Sequence, residues 1–226
     1  MHKRTLLLSL AGFLLIATAL VAAERRNDGD AWLGRPLRDP ELSRVMSVVE
    51  RGWRTGLEAG LDRNRSQQAR FEQELDRYYS TRTPLEVAAA DARARGEEEP
   101  APTSSAQSLM AFDPLAPKGL ADQNVSELAK QKAYIASGRQ NEKSGSFKVL
   151  DFGVDSMKVV DYQIQNDGAR VVVDITFWSQ YLFDDGEHQV TSKPSGTQRH
   201  TFELRRENGA WKIVSDTFEI PAGSEP

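Results

Sequence analysis

The stretch ARVVVDITFWSQYLF, residues 169–183, is the longest strand-like segment of the chain. Its apolar side chains recur at every second position, which places on one face of a strand Val171, Val173, Ile175, Phe177, Tyr181 and Phe183. The opposite face receives Asp174, Thr176, Trp178 and Gln180. Fifteen residues exceed the usual length of a strand, so we expect a bulge or bend near Ser179.

Shorter strand signals precede this segment, beyond Ser144, where the apolar period changes from near four to two. Residues 147–152 and 156–164 predict two strands. Asn166-Asp167-Gly168 predicts a tight turn into the long strand, because Asn, Asp and Gly tolerate the backbone angles that such turns need.

A closing hairpin is predicted after the long strand. Residues 201–205 and 211–214 form its arms, and Asn208-Gly209 favours a two-residue turn between them. Residues 217–220 predict an extension of the hairpin or a last short strand. Together these signals indicate a mostly antiparallel sheet of four to five strands.

A helix is predicted to begin at Asp39-Pro40-Glu41, since Asp39 can accept hydrogen bonds from the first-turn amides and Pro40 fits the first helical position. Spacings of three and four residues place on one stripe Leu42, Val45, Met46, Val49, Trp53 and Leu57. The glycines at 52, 56 and 60 also share a face. They favour a helix that stops near Gly60 over one that packs closely against another backbone.

Three further helices are predicted. Helical spacing of apolar residues supports the first, through Phe71, Leu75, Tyr78 and Tyr79. Thr83-Pro84-Leu85-Glu86 reads as a capping box and predicts a helix over residues 84–95. Helical signals return from Asp122 to Ser137, with Gly138 as the expected stop.

The N-terminus has the pattern of an export signal. His2, Lys3 and Arg4 precede an unbroken apolar run from Thr5 to Ala23. Small residues before Glu24 would allow cleavage after Ala23, yet a run of 19 residues is also long enough to span a bilayer. Both outcomes stay open, and both place the folded part outside the cytoplasm, in the periplasm, the cell envelope or the extracellular space.

Composition excludes several classes of protein. The chain has no cysteine, so it has no disulfide, cysteine-ligated metal or thiol nucleophile. Its formal net charge is −4, and no basic face is concentrated in the sequence, so nucleic acid is not an expected partner.

Helices followed by hairpin-linked strands around one long bent strand are typical of an α+β fold. This order resembles the nuclear transport factor 2-like superfamily, whose fold is a cone. The local match lies in His200-Thr201-Phe202-Glu203-Leu204 and in Asn208-Gly209-Ala210-Trp211-Lys212-Ile213-Val214-Ser215-Asp216. It is similar to the hairpin that ends such regions in exported bacterial proteins, where they precede putative amidase domains. The helix residues Leu75 to Arg82 also resemble this family.

The residue patterns divide the chain, and the resemblance adds the cone. Residues 1–23 are the signal or anchor, residues 24–96 are helical, and residues 97–117, acidic and then rich in Pro and Ser, form a linker or long loop. Residues 118–221 supply a helix and the curved sheet, with residues 70–95 completing the cone.

No catalytic motif is apparent. No serine lies in a nucleophile-elbow pattern, no glycine-rich loop could cradle phosphate, and His188 lacks the spacing of a zinc site, so we expect neither cofactor nor metal. His200 is predicted to bond Asp216 across the hairpin, which is a structural role rather than a catalytic one. Candidate cavity or binding residues are Tyr162, Trp178, Tyr181, His200 and Asp216.

Two functions are consistent with these patterns. The first, which we favour, is a non-enzymatic accessory domain that binds an unidentified protein. The helix at 40–62 would extend toward that partner. A homodimer is left open. The alternative is a small-molecule site or an isomerase or dehydratase in the cone, for which Asp161, Asp174 and His200 are the candidates. In either case, residues 5–23 contact the membrane if they are not cleaved.

Overall fold

The structure, a computed structural model, describes residues 31–32, 37–100, 124–143, 147–184 and 187–221. Four α-helices within these ranges are α1 (Pro40–Gly60), α2 (Gln68–Leu75), α3 (Pro84–Arg95) and α4 (Glu127–Lys143). The strands are β1 (Ala31–Trp32), β2 (Phe147–Gln165), β3 (Gly168–Asp184), β4 (Gln189–Ser192), β5 (Ser195–Glu207) and β6 (Ala210–Glu219). The predicted α+β class is confirmed, whereas the predicted signal or anchor helix lies outside the described residues.

The strands form one sheet in the order β1-β2-β3-β5-β6, with β4 beside the last part of β3. Every pair of strands is antiparallel. Both predicted tight turns are present: Gln165 pairs with Gly168, and Glu207 pairs with Ala210. Asn166, Asn208 and Gly209 have positive φ angles of 48°, 53° and 81°, as two-residue hairpin turns require.

The two short strands predicted before the turn are one strand. β2 continues through Gly153. The Trp178 ring of the neighbouring strand lies over this glycine, and a Cβ added at Gly153 would lie 2.4 Å from the ring. The glycine therefore marks a close approach of an aromatic ring rather than a break in the strand.

The bulge expected near Ser179 of β3 was misplaced. Register shifts fall on β2 instead, between Val149 and Asp151, between Val154 and Ser156, and between Val159 and Asp161. At Ser179 the partner of β3 changes: Trp178 pairs with β5, Tyr181 pairs with β4, and the Ser179 amide donates to the Pro194 carbonyl at 3.1 Å. Each bulge places one extra residue in β2 opposite β3, and the strand bends there.

Local caps position α1 and α3 as predicted. The Asp39 carboxylate accepts from the amides of Glu41 and Leu42 at 2.8 and 3.2 Å. Thr83 and Glu86 form the predicted capping box, with each side chain accepting from the other's amide.

Two helix ends differ from the prediction. α2 stops at Leu75, because the chain then pairs with β6: the Ile213 amide donates to the Tyr78 carbonyl at 2.7 Å, and the Ser80 amide donates to the Ile213 carbonyl at 2.8 Å. α4 begins at Glu127 and continues past Gly138, so that glycine is not a stop.

The core lies between α1 and one face of the sheet, here named the inner face. The α1 stripe is buried, with Val45, Met46 and Val49 fully inaccessible. It packs with inner-face residues that include Val171, Val173, Ile175, Phe202, Leu204 and Ile213. Residues 40–62 were predicted to extend toward a partner protein. That prediction is wrong for the apolar stripe, which packs against the protein's own sheet.

The opposite face of the sheet, the outer face, meets α3. Val87, Ala89 and Ala92 of α3 are buried apart from the main core cluster, and so are Val172 and Val214 of the sheet. Arg205 of β5 forms an ion pair with Asp91 that ties α3 to this face. No helix within the described residues has the length and apolar character needed to cross a bilayer.

Replacing Gly52 by Val is expected to lower the free energy of unfolding by about 1–3 kcal/mol, as overpacking does in cores. A Cβ at Gly52 would lie 3.0 Å from Tyr78 Cβ and 3.1 Å from Ile213 Cδ1, so the contact between α1 and β6 would have to open. Gly60→Ala is the control, since no atom lies within 4 Å of its Cβ position. Urea unfolding measures both. An effect of Gly52→Val no larger than that of Gly60→Ala would show that α1 does not press on β6.

Candidate functional site

His200 and Asp216 are the two predicted site residues that the fold brings into contact. They lie on adjacent strands, with His200 opposite Phe218 and Asp216 opposite Phe202. His200 Nδ1 is 2.8 Å from Asp216 Oδ1, and both side chains are almost completely buried. The predicted hydrogen bond across the hairpin is confirmed; a role for the pair in binding stays a prediction.

Aromatic rings surround the His200 imidazole. Phe202 and Phe218 stack on it at centroid distances of 5.4 and 5.5 Å, and Trp53 from α1 meets it edge-on at 5.9 Å. The second ring nitrogen, Nε2, lies 3.2 Å from Gln198 Oε1. Both nitrogens thus have protein partners, which fix the position of the ring.

Tyr79 and Glu127 add two buried titratable groups near this pair. The Tyr79 hydroxyl is buried, with no hydrogen-bond partner among the described residues, and burial raises the pKa of Tyr79 well above its ordinary value, helped by the nearby carboxylates of Asp216 and Glu127. Burial likewise raises the pKa of Glu127, although Lys130, 3.4 Å away, opposes the shift. We name Tyr79, Glu127, His200 and Asp216 the inner polar cluster.

Sequence patterns did not point to Tyr79 and Glu127 as members of a site. Tyr79 fits the apolar spacing of a helix, and Glu127 stands in the first helical turn, where an acidic residue is ordinary. Tyr79 is held by β6, more than 130 residues later, through its bridge to Ile213. Glu127 is fully buried, and its carboxylate accepts from Gln131 of the same helix at 3.1 Å.

The inner polar cluster combines two carboxylates, an imidazole and a phenol. Its histidine and carboxylates have partners within the protein, whereas the phenol has none in the part of the chain that the structure describes. Among the described residues, no group of three or more metal-ligating side chains could hold a metal ion.

Trp178 lies on the outer face, away from this cluster. Its ring covers Gly153, and the Lys193 ammonium lies 3.7 Å from the ring centroid, a cation–π contact. Trp178 therefore packs on the outer surface of the sheet and does not line a cavity between the sheet and α1.

Tyr181 and Tyr162 lie on the inner face but far apart along the strands. Tyr181 sits 6.3 Å from Phe183 between ring centroids, near β4. Tyr162 pairs with Val171 near the other end of β3, and it is 44% exposed. The five predicted residues thus do not line one site.

The carboxylates proposed for the alternative function have basic partners on the sheet. Asp161 is exposed and lies 3.4 Å from Arg170. Asp174 receives two hydrogen bonds from Arg199, at 2.7 and 3.0 Å. Both are accounted for by cross-strand charge pairing.

A different cleft lies between α3 and the outer face. It has a volume of about 340 Å³, and it is lined by Pro84, Val87, Ala88, Asp91, Ala92, Arg95, Glu97, Glu98, Pro100, Glu203, Arg205 and Val214. The sequence patterns did not single out this cleft, because it depends on α3 packing against strands more than 100 residues later.

Part of the chain matches a known family. Residues 116–214 match the family model described as ARC6-like, IMS domain. The matched stretch contains α4 and the sheet from β2 to Val214 of β6, which is less than half of the chain. The description of this family model does not name the nuclear transport factor 2-like superfamily that the sequence resembles, and the comparisons give that superfamily no specific support.

Solved structures give a weaker likeness. One is the crystal structure of the intermembrane space region of chloroplast protein ARC6, which is 15% identical; the match covers 41% of this chain and 70% of that one, with a TM-score of 0.32. A likeness at this level carries no argument about fold or function. No curated protein matches the chain.

The raised pKa of Glu127 predicts a pH-dependent stability. The folded protein holds the Glu127 proton more tightly than the unfolded chain does, so the free energy of unfolding falls as pH rises from about 4.5 to the raised pKa and is level above it. Glu127→Gln keeps the shape and removes the titration. We expect the free energy of unfolding of wild type, measured by urea unfolding, to fall relative to that of Glu127→Gln as pH rises across this window. A difference that does not change with pH would contradict the assignment.

Proposed function

We propose that this chain is a non-enzymatic accessory domain that works outside the cytoplasm by binding another protein, and that the edge of β2 is its binding surface. The observation that carries the proposal is the exposure of Val160 and Tyr162, at 45% and 44%, on a strand with one side largely unpaired among the described residues.

Among the described residues, β2 is an edge strand over much of its length. β3 occupies one side of it, and the only described residues on the other side are those of β1, which pair with Met157 and Lys158. In the described part of the chain, β3 is the only strand that pairs with residues 159–165, so their other edge is unpaired there. An exposed edge offers unpaired amide and carbonyl groups to an added strand, and proteins usually protect such edges with charges or proline. Here the exposed positions include Val160 and Tyr162, which suits pairing with an extended segment of a partner.

The family match supports this choice. It includes all of β2, and its description names an IMS domain, which is consistent with a location outside the cytoplasm. The apolar run at residues 5–23 supports export independently. We also propose that the whole chain belongs to this family. The proposal includes the cone shape of the nuclear transport factor 2-like fold and the division of the chain into residues 24–96, 97–117 and 118–221.

The double variant Val160→Lys/Tyr162→Lys is expected to lose the partner without unfolding, because both side chains are exposed and two positive charges oppose insertion into an apolar contact. Val190→Lys is the matched control, since Val190 is 57% exposed on β4, away from this edge. The full chain is expressed in its native host, crosslinked and purified, and the bound proteins are compared.

The expected result is one protein recovered with wild type and Val190→Lys and depleted at least about tenfold with the double variant, as for a loss of about 1.4 kcal/mol. A second copy of the chain as that protein would identify a homodimer. Equal recovery in all three samples would contradict the use of the β2 edge, and recovery of no specific protein would contradict the function.

A second candidate function is a small-molecule site in the inner polar cluster. The specific observation that favours it is the Tyr79 hydroxyl, because a buried hydroxyl without a partner costs about 1–3 kcal/mol unless a bound molecule or water satisfies it.

Tyr79→Phe separates the two functions. We expect this variant to match or exceed wild type in free energy of unfolding, since it removes an unpaired polar atom, and to keep the protein partner. Thermal unfolding and the crosslinking assay measure both. Loss of saturable binding of a metabolite on Tyr79→Phe, with the protein partner absent from all samples, would favour the second candidate.

A further inference from the structure

The cleft beside α3 has an apolar floor and charged walls. Val87, Ala92 and Val214 are buried beneath it, at 6%, 3% and 2% exposure. The volume of about 340 Å³ is at the lower end of the range for ligand pockets, which suits one side chain of a bound segment rather than a large molecule.

The walls of the cleft are acidic. Four carboxylates, those of Asp91, Glu97, Glu98 and Glu203, accompany the guanidinium groups of Arg95 and Arg205. Asp91 pairs with Arg205, and Glu97 pairs with Arg95 at 2.8 Å. Glu98 and Glu203 remain, both exposed and both without an ion-pair partner in the ranges that the structure describes.

Arg205 provides an independent observation. Its side chain lines the cleft, is 31% exposed and donates from its terminal nitrogens to Asp91 and to the Leu204 carbonyl. The exposed part of the guanidinium can donate to a neutral or anionic oxygen. A peptide backbone offers such an oxygen in its carbonyl, beside side chains of either charge.

We propose that the cleft binds an arginine or lysine side chain on an extended segment of a partner protein. The cation lies between Glu98 and Glu203, its aliphatic stem covers Val87 and Val214, and a carbonyl of the segment approaches Arg205. Long basic side chains suit this combination of an apolar floor and an acidic rim. The inference rests on the proposed protein-binding function, but it uses a surface distinct from the β2 edge.

The test uses the full chain and a blocked tripeptide with a central arginine, titrated by NMR at low salt. The methyl resonances of Val87 and Val214 report occupancy. We expect saturable shifts that weaken at 0.5 M salt, where the Debye length is only about 4–5 Å. The same tripeptide with citrulline in place of arginine tests the need for charge.

Glu98→Gln/Glu203→Gln is expected to weaken binding about fivefold, which is the size expected from the loss of two exposed ion pairs. Both positions are exposed, so folding should persist. Glu58→Gln, an exposed position on α1, is the matched control and should bind like wild type. Equal binding of the citrulline peptide, equal binding by the double variant, or no saturable shift would overturn the inference.

The variant Val160→Lys/Tyr162→Lys distinguishes this inference from the proposed function. It should bind the tripeptide as wild type does, because its changes lie on β2. If it loses the protein partner but keeps the tripeptide, both proposals stand. If the tripeptide fails with every variant while partner recovery still depends on β2, the cleft inference alone is wrong.

Discussion

The rest of the structure depends on the packing of the α1 apolar stripe against the inner face of the sheet. Val45, Met46 and Val49 have no exposed surface, and Trp53 packs edge-on against Phe177, with ring centroids 5.2 Å apart. Truncating one such buried side chain to alanine costs about 2–5 kcal/mol in typical cores, so detaching the whole helix is prohibitive. The helix is therefore part of the folded domain.

This packing constrains where function can lie. The inner face is occupied, and the His200–Asp216 pair within it is held by protein contacts. After α2, the chain crosses the edge of β6 at Ile213 and leads to α3, so that edge is covered and the outer face gains a cleft. Within the described part of the chain, the β2 edge and the cleft beside α3 are the surfaces that we assign to a protein partner.

Features that depend on near neighbours in sequence could be predicted. The capping box at Thr83 and the turn at Asn208-Gly209 each involve residues within three positions, so their chemistry is visible in the sequence. α1 was predicted with its start and its end for the same reason.

Features set by distant contacts could not be predicted. α2 ends where β6 supplies hydrogen bonds to residues 78–80, more than 130 positions away. β2 continues through Gly153 because Trp178 of the next strand lies over it. Of the predicted site residues, His200 and Asp216 meet because a hairpin brings them together, whereas Trp178 faces the outer side. Tyr79 fitted an apolar pattern and Glu127 an ordinary first helical turn, so neither residue pointed to a polar cluster; tertiary packing brings them together.

Native-state amide hydrogen exchange tests the central claim most directly. If α1 and the sheet form one cooperative core, the amides of Val49 and Trp53 should exchange with the same opening free energy as those of Val173 and Ile175, close to the global free energy of unfolding. Exchange of the α1 amides through a separate opening of much lower free energy, while the β3 amides stay protected, would contradict the account. It would also return α1 to the set of surfaces available to a partner.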